Sequence, residues 1–246
     1  MRPIEELVKI AEGFEVELPP FQVGYDLPVK GEIAALIDHT ILKAEATEQQ
    51  VRNLCQEAAQ SHFAAVCINP GYVPLCAELL AGTDVDVCTV IGFPLGANPT
   101  EIKVAEAKWS VDNGATEVDL VINIGAMRSS NFDLVYKEIA AVKKASGSAL
   151  VKVIFENCYL TKKEKILACL MCKEVGVEFV KTSTGFGSSG ATVEDVHLMR
   201  CVVGPKMGVK AAGGIRTYVD ALRMVDAGAD RIGTSAGVAI LVEAVK

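Results

Sequence analysis

The chain has no excess of basic charge. It carries 24 lysines and arginines against 31 aspartates and glutamates, for a net charge of −7. A nucleic-acid or membrane-surface protein presents a basic binding face, so this balance argues against both. Any anionic ligand must then be captured by a local site and not by the overall field. No apolar run approaches the ~18 residues of a membrane span. The first residues, Met1-Arg2-Pro3-Ile4-Glu5-Glu6, are acidic early and lack the apolar core of a secretion signal. Histidine is scarce: His39, His62 and His197 are the only three and form no clustered pair. A zinc site is therefore not expected, and no metal or other cofactor is implied. The eight cysteines are scattered through apolar periodic segments and form no stapled framework. They read as reduced thiols of a cytoplasmic protein. Cys169 and Cys172 share a helical pattern with no second pair to complete a ligand set.

What is present is alternation. From Gly31 onward, short apolar runs alternate with amphipathic helical patterns, the signature of βα units on a parallel sheet. Eight strands are expected, at 34–40, 64–69, 85–92, 117–122, 150–156, 179–182, 208–211 and 231–233. Helices are expected at 47–61, 73–80, 100–113, 132–145, 162–175, 193–203, 217–227 and 238–245. Thr47, Thr100 and Thr192 stand where N-caps belong, and Gly114, Gly176 and Gly228 stand just past helix ends. Half of the 246 residues are hydrophobic, enough for a large core. The length and the eight units fit a closed TIM (β/α)8 barrel, residues 31–246, preceded by an N-terminal helical arm and linker, residues 1–30. A doubly wound sheet is the runner-up, but no Gly-x-Gly-x-x-Gly follows the first strand.

In such a barrel the site lies at the C-terminal strand ends. Lys181 ends the run Val177-Glu178-Phe179-Val180-Lys181 and opens into Thr182-Ser183-Thr184-Gly185. Lys210 ends the next strand and opens into Ala211-Ala212-Gly213-Gly214. Lysine is unwelcome at the end of a buried strand unless it has work there. Two ammonium groups roughly 5 Å apart repel by about 3 kcal/mol, enough to lower one lysine pKa by roughly 2 units, to near 8. A free amine near neutral pH is a nucleophile that forms Schiff bases. Asp119 interrupts the otherwise buried run 117–122, and a buried carboxylate needs a cationic partner. It reads as a salt bridge to Lys210 or Lys152 that also serves as a proton relay. Gly213-Gly214 and Gly233-Thr234-Ser235 follow strands seven and eight, where barrels commonly hold a phosphate on backbone N–H groups. Cys67 either faces the pocket or is a small buried hydrophobe.

Beyond these separate readings, the chain resembles the deoxyribose-phosphate aldolase family over nearly its whole length after the arm. The resemblance rests on Leu36-Ile37-Asp38-His39-Thr40-Ile41-Leu42, Ala65-Val66-Cys67-Ile68-Asn69-Pro70, Val90-Ile91-Gly92-Phe93-Pro94 and Glu117-Val118-Asp119. It rests most of all on Val180-Lys181-Thr182-Ser183-Thr184-Gly185, Val209-Lys210-Ala211-Ala212-Gly213-Gly214-Ile215-Arg216 and Arg231-Ile232-Gly233-Thr234-Ser235. It implies a (β/α)8 class I aldolase that reversibly cleaves 2-deoxy-D-ribose 5-phosphate to D-glyceraldehyde 3-phosphate and acetaldehyde. By the same resemblance Lys181 forms the Schiff base, Lys210 perturbs it, and Asp119 is the acid–base carboxylate. Asp38, Thr40, Cys67 and Thr184 line the substrate pocket, while Gly185, Gly213, Gly214, Gly233 and Ser235 bind phosphate. A homo-oligomer, dimer or tetramer, is implied as well. The chain departs from many members at Ala236, often serine, and at Phe186, lysine in some. Two rivals are a non-catalytic sugar-phosphate-binding barrel and a zinc-dependent aldolase.

Overall fold

A computed structural model describes residues 1–17 and 33–244. The expected prolines Pro19, Pro20 and Pro28 of the linker lie outside the described residues. Eight parallel strands close into a barrel in the order β1 to β8: β1 (Ile37–Ile41), β2 (Ala65–Ile68), β3 (Asp86–Ile91), β4 (Glu117–Val121), β5 (Leu150–Ile154), β6 (Phe179–Lys181), β7 (Gly208–Ala212) and β8 (Arg231–Thr234). Around them stand α2 (Glu48–Ser61), α3 (Val73–Leu79), α4 (Thr100–Asp112), α5 (Ile124–Arg128), α6 (Phe132–Ala145), α7 (Lys162–Val175), α8 (Val193–Val203), α9 (Tyr218–Asp226) and α10 (Gly237–Glu243), with α1 (Ile4–Glu17) ahead of the barrel. The TIM barrel expected from alternation is the observed fold.

The strands are almost wholly buried because each packs side chains inward and outward in turn. Outward residues such as Val66, Val118, Val153 and Ile232 join the helices in one continuous apolar core. A second, smaller cluster of Leu42, Ala65, Cys67, Cys88 and Val90, with Phe93 against it, lies apart from that core. Polar residues of the inward set meet at the same level. Lys181 lies opposite Lys210 across the β6–β7 ladder. Asp119 lies opposite Lys152 across β4–β5.

Helix ends follow the chemistry of their caps. Thr47, Thr161 and Thr217 close reciprocal capping boxes with Gln50, Glu164 and Asp220. Thr192 caps α8 through the Asp195 amide. Thr100 does not cap α4, as the sequence led one to expect. Pro99 holds that place and Thr100 is the first helical residue, its hydroxyl directed at Glu138. Gly114, Gly176 and Gly228 all take positive φ, as their places past helix ends require. The arm helix runs from Ile4 to Glu17. It packs on α7 outside the barrel, tied by Glu12–Lys163 at 2.7 Å and Arg2–Glu174 at 3.4 Å.

The β3–α4 loop is fastened from below. Lys103, fully buried, donates to Gly96 O at 2.7 Å, Val121 O at 2.9 Å and Glu138 Oε1 at 2.8 Å. Gly96 has φ +65°, and a Cβ there would lie 1.9 Å from the carbonyl oxygen of Ile122. Only glycine lets the loop sit this close to the end of β4. The loop carries Phe93 to the barrel mouth, where its ring meets Phe186 edge-on at 5.4 Å.

Candidate active site

Seven charged side chains converge inside the barrel. Asp119, fully buried at the middle of β4, is their hub. Its Oδ2 accepts from Lys181 Nζ and Lys210 Nζ, each at 2.7 Å. The two nitrogens thus share one oxygen and lie within twice that distance of each other. Its Oδ1 accepts from Lys152 Nζ at 2.9 Å and from the Cys88 thiol at 3.2 Å. Below this level Lys152 also pairs with Glu117 at 2.6 Å, and Arg231 bridges Glu117 and Asp38. Lys210 closes the network through Asp38 at 2.5 Å.

Burial works against every one of these charges, and their neighbours decide the outcome. For Asp119, desolvation favours the neutral acid, but Lys152, Lys181 and Lys210 together hold its pKa well below the usual carboxylate range. Asp38 is likewise opposed by burial and held low by Lys210, Lys152 and Arg231. Burial would strip the proton from Lys210, yet Asp119 and Asp38 outweigh it and keep that lysine cationic far above neutrality. Lys152 is held charged in the same way, chiefly by Asp119.

The cluster is nevertheless not neutral. Four cations, Lys152, Lys181, Lys210 and Arg231, face three carboxylates, Asp38, Glu117 and Asp119. Lys181 is the outermost of the lysines and contacts only one carboxylate, whereas Lys152 and Lys210 each contact at least two. Lys181 is therefore the cation with the least compensation. Removing its proton leaves three paired cations and three anions in a low-dielectric interior, where an unbalanced charge is costly.

Cys67 and Cys88 lie opposite each other across β2–β3. Burial, with the Asp119 charge beside it, pushes the Cys88 thiol well above its ordinary pKa. Both thiols and Asp119 are close enough together to hold an ion among the described residues. The lysine ammonium groups already occupy the lone pairs of Asp119 that a divalent cation would need, so the donor set does not fit a metal. His39 faces outward, pairs with Glu57 at 2.7 Å and packs on Phe63, away from the charged cluster.

The loops after β6, β7 and β8 surround the mouth. Gly185, Gly213 and Gly214 have φ of +88°, +87° and +83°, so the sequence needs glycine there. Gly190 touches Gly213 backbone to backbone: a Cβ on Gly190 would lie 2.1 Å from Gly213 O. Sequence reasoning passed over Gly190, whose only signal is its place in the glycine- and serine-rich run 185–190. Ser235 is exposed at the same rim. Gly233 lies lower, buried within β8, where a Cβ would press on Lys210 Cε at 3.1 Å; it makes room for that lysine. Thr40, partly buried, bonds the Asp38 carbonyl at 2.8 Å. Thr184 is buried and directs its hydroxyl and its N–H at the Glu156 carboxylate. Glu156, which the sequence places among the polar strand-end residues of the site without a specific role, holds a left-handed φ of +54°.

The pairing has a consequence for stability. Asp38 and Asp119 have native pKa values below their unfolded ones, so their contribution is complete above roughly pH 4 and is lost as pH falls through the lower native values. Lys152 and Lys210 have raised values, so their contribution is complete below roughly pH 10 and is lost only as pH rises through the native ones. In urea unfolding the contribution of these four groups should be at its plateau between about pH 5 and 9. Replacing Asp38 with Asn should lower that plateau by about 3 kcal/mol, because Lys210 and Arg231 lose a buried partner. A plateau left at its original height would refute the pairing.

Comparison with known proteins gives a consistent picture. Residues 33–245 match the family described as "DeoC/LacD family aldolase". The chain is 58% identical over 205 residues to a Streptococcus gordonii protein named deoxyribose-phosphate aldolase, covering 83% of this chain and 93% of the relative. It is 58% identical over 213 residues to the protein of the same name from Clostridium tetani, covering 86% and 99%. Among solved structures it superimposes on a chain from Coccidioides immitis with a TM-score of 0.94 at 41% identity, covering 100% of this chain and 99% of that one. It also matches the tetrameric deoxyribose phosphate aldolase from Aeropyrum pernix, with a TM-score of 0.82 at 34% identity over 98% of this chain and 97% of that one.

Proposed function

The chain belongs to the DeoC/LacD family of aldolases, and from that premise we propose that it reversibly cleaves 2-deoxy-D-ribose 5-phosphate to D-glyceraldehyde 3-phosphate and acetaldehyde through a Schiff base on Lys181. The observation that carries the reading is the shared oxygen: Lys181 and Lys210 both at 2.7 Å from Asp119 Oδ2, inside a cluster with one cation too many.

The chemistry follows from that surplus. Lys181 gives up its proton and adds to the substrate carbonyl. Loss of water forms a C=N bond whose nitrogen is protonated. This returns one positive charge to the place that the ammonium held, beside Asp119. The C3 hydroxyl gives its proton to water and becomes the carbonyl of the departing D-glyceraldehyde 3-phosphate, while the iminium draws in the electron pair of the breaking C–C bond and an enamine results. Protonation of the enamine carbon and addition of water then release acetaldehyde and the free amine. Asp119 binds protons weakly and Lys210 stays charged. Together they act as a relay that passes protons to and from water without storing them. The phosphate is held at the glycine rim of Gly185, Gly213, Gly214 and Ser235, and that remote binding orients the reacting carbons.

The test is borohydride reduction in the presence of acetaldehyde. It should fix a two-carbon unit on Lys181, read by peptide mass spectrometry; a label on another lysine, or none, would overturn the assignment. A non-catalytic sugar-phosphate-binding barrel has no need of the lysine pair and would trap nothing.

The homo-oligomer rests on the tetramer described for the Aeropyrum pernix relative, and sedimentation velocity at assay concentration decides it. The cytoplasmic location rests on eight cysteines that all stand as free thiols, and fractionation of the source cells tests it. Among the described residues no helix is long and apolar enough to cross a membrane.

A further inference from the structure

We infer that Ser183 is a substrate-contacting residue. Its hydroxyl binds the spectator hydroxyl of the acceptor aldehyde, on the carbon between the one that reacts and the one that carries the phosphate.

The direction of the side chain comes from the ladder. Pairing of β6 runs one residue past Lys181, to Thr182, where the register on the β5 side slips by one. Phe155 N donates to Lys181 O at 3.0 Å, Asn157 N to Thr182 O at 2.9 Å, and Thr182 N to Lys210 O at 3.1 Å. Lys181 points into the barrel. Thr182 turns its hydroxyl to β7, exchanging hydrogen bonds with Ala212 N and O at 3.1 and 3.2 Å. Alternation carried one residue past the ladder puts Ser183 back on the face of Lys181, about 7 Å further toward the mouth. It reaches the turn after β7, since a Cβ built on Gly213 would lie 3.6 Å from the Ser183 Cβ.

The chemistry of the side chain comes from a count of hydroxyls. Of the three in Thr182-Ser183-Thr184, two are engaged. Thr182 is bonded to Ala212. Thr184 donates to Glu156 Oε2 and accepts from Phe186 N at 3.0 Å. Ser183 is 0% exposed, and its Oγ has no hydrogen-bond partner among the described residues. A buried hydroxyl without a partner is unfavourable and is retained where a ligand completes it. The left-handed backbone of Glu156 holds Thr184 turned away, so Ser183 presents the one unengaged hydroxyl of Thr182-Ser183-Thr184.

Position selects the group that it meets. The hydroxyl lies between the amine that holds the carbonyl carbon and the glycine turns that hold the phosphate. The secondary hydroxyl of the substrate chain that takes no part in bond cleavage falls there. This inference rests on the aldolase reading above.

The experiment measures the synthetic direction with acetaldehyde and two acceptors: D-glyceraldehyde 3-phosphate, and the same phosphorylated aldehyde lacking the 2-hydroxyl. Ser183→Ala should lose about tenfold in kcat/KM with the hydroxylated acceptor. It should change little with the deoxygenated one, and acetaldehyde trapping on Lys181 should be unaffected. Equal losses with both acceptors, or no loss with either, would overturn the inference. Ser183→Cys keeps the volume and hydrogen-bonds poorly; it should show the same selectivity and serves where the alanine variant does not fold. Failure of the parent protein to trap acetaldehyde sinks the aldolase reading itself, a separate result from a variant that shows no selectivity.

Discussion

Replacement of Lys181 by alanine should abolish turnover, by at least on the order of 10⁴-fold in kcat, while leaving the fold as stable as the parent or more so. The first half follows from covalent chemistry. No other amine is placed to take over, since Lys152 and Lys210 are each held cationic by two or more carboxylates. The second half follows from the charge count. Without Lys181 the barrel interior holds Lys152, Lys210 and Arg231 against Asp38, Glu117 and Asp119, and the surplus cation is gone. A protein whose reactive group is a local liability gains stability when the group is removed. Activity assays and urea unfolding on the same preparation check both halves. Residual turnover within about tenfold of the parent would mean that the nucleophile lies elsewhere. A large drop in stability would mean that Lys181 is a structural partner of Asp119 and not an excess charge.

Replacement of Lys210 by methionine should move the acid limb of the pH–rate profile toward higher pH by about 1 to 2 units, and cut turnover near neutrality by roughly 10- to 100-fold. The sign is fixed by charge. Lys210 and Lys181 share one oxygen of Asp119, and the cation at Lys210 makes a second proton on Lys181 unfavourable. Remove that cation and the repulsion that favours the free amine at Lys181 is lost. Stability should fall as well, because Asp38 and Asp119 lose a partner at 2.5 and 2.7 Å. Lys210→Arg separates two roles, since it restores the charge but cannot release a proton. Its profile should keep the parental midpoint at a reduced height. A methionine variant with the parental pH midpoint would remove the electrostatic argument.

The two lysines were visible in the sequence because each breaks a local rule. A charged residue at the end of an apolar run, followed by small residues, has no ordinary structural use, and the same break occurs on consecutive strands. Asp119 was visible for the same reason. Lys152 stands out only as an alternative partner of Asp119, because nothing in its own segment says that Glu117 and Asp38 will meet it as well. Ser183, Thr184 and Glu156 are harder still. One strand-end hydroxyl looks like another until Glu156, 28 residues before Thr184, claims one of them. Gly190 gave no signal apart from composition, since what excludes a side chain there is a carbonyl from a different loop.

The alternation of apolar runs and helical patterns by itself determined eight βα units and their boundaries to within a few residues. Periodicity and capping are local properties, set by neighbours along the chain. Which charges balance, which is left over and which hydroxyl stays unpaired were decided only when the barrel closed. Those properties depend on summed Coulomb energy and on burial among residues from several strands, and no window of sequence contains them. One strand places Lys181 in the barrel, and closure of all eight places Asp119 and Lys210 beside it.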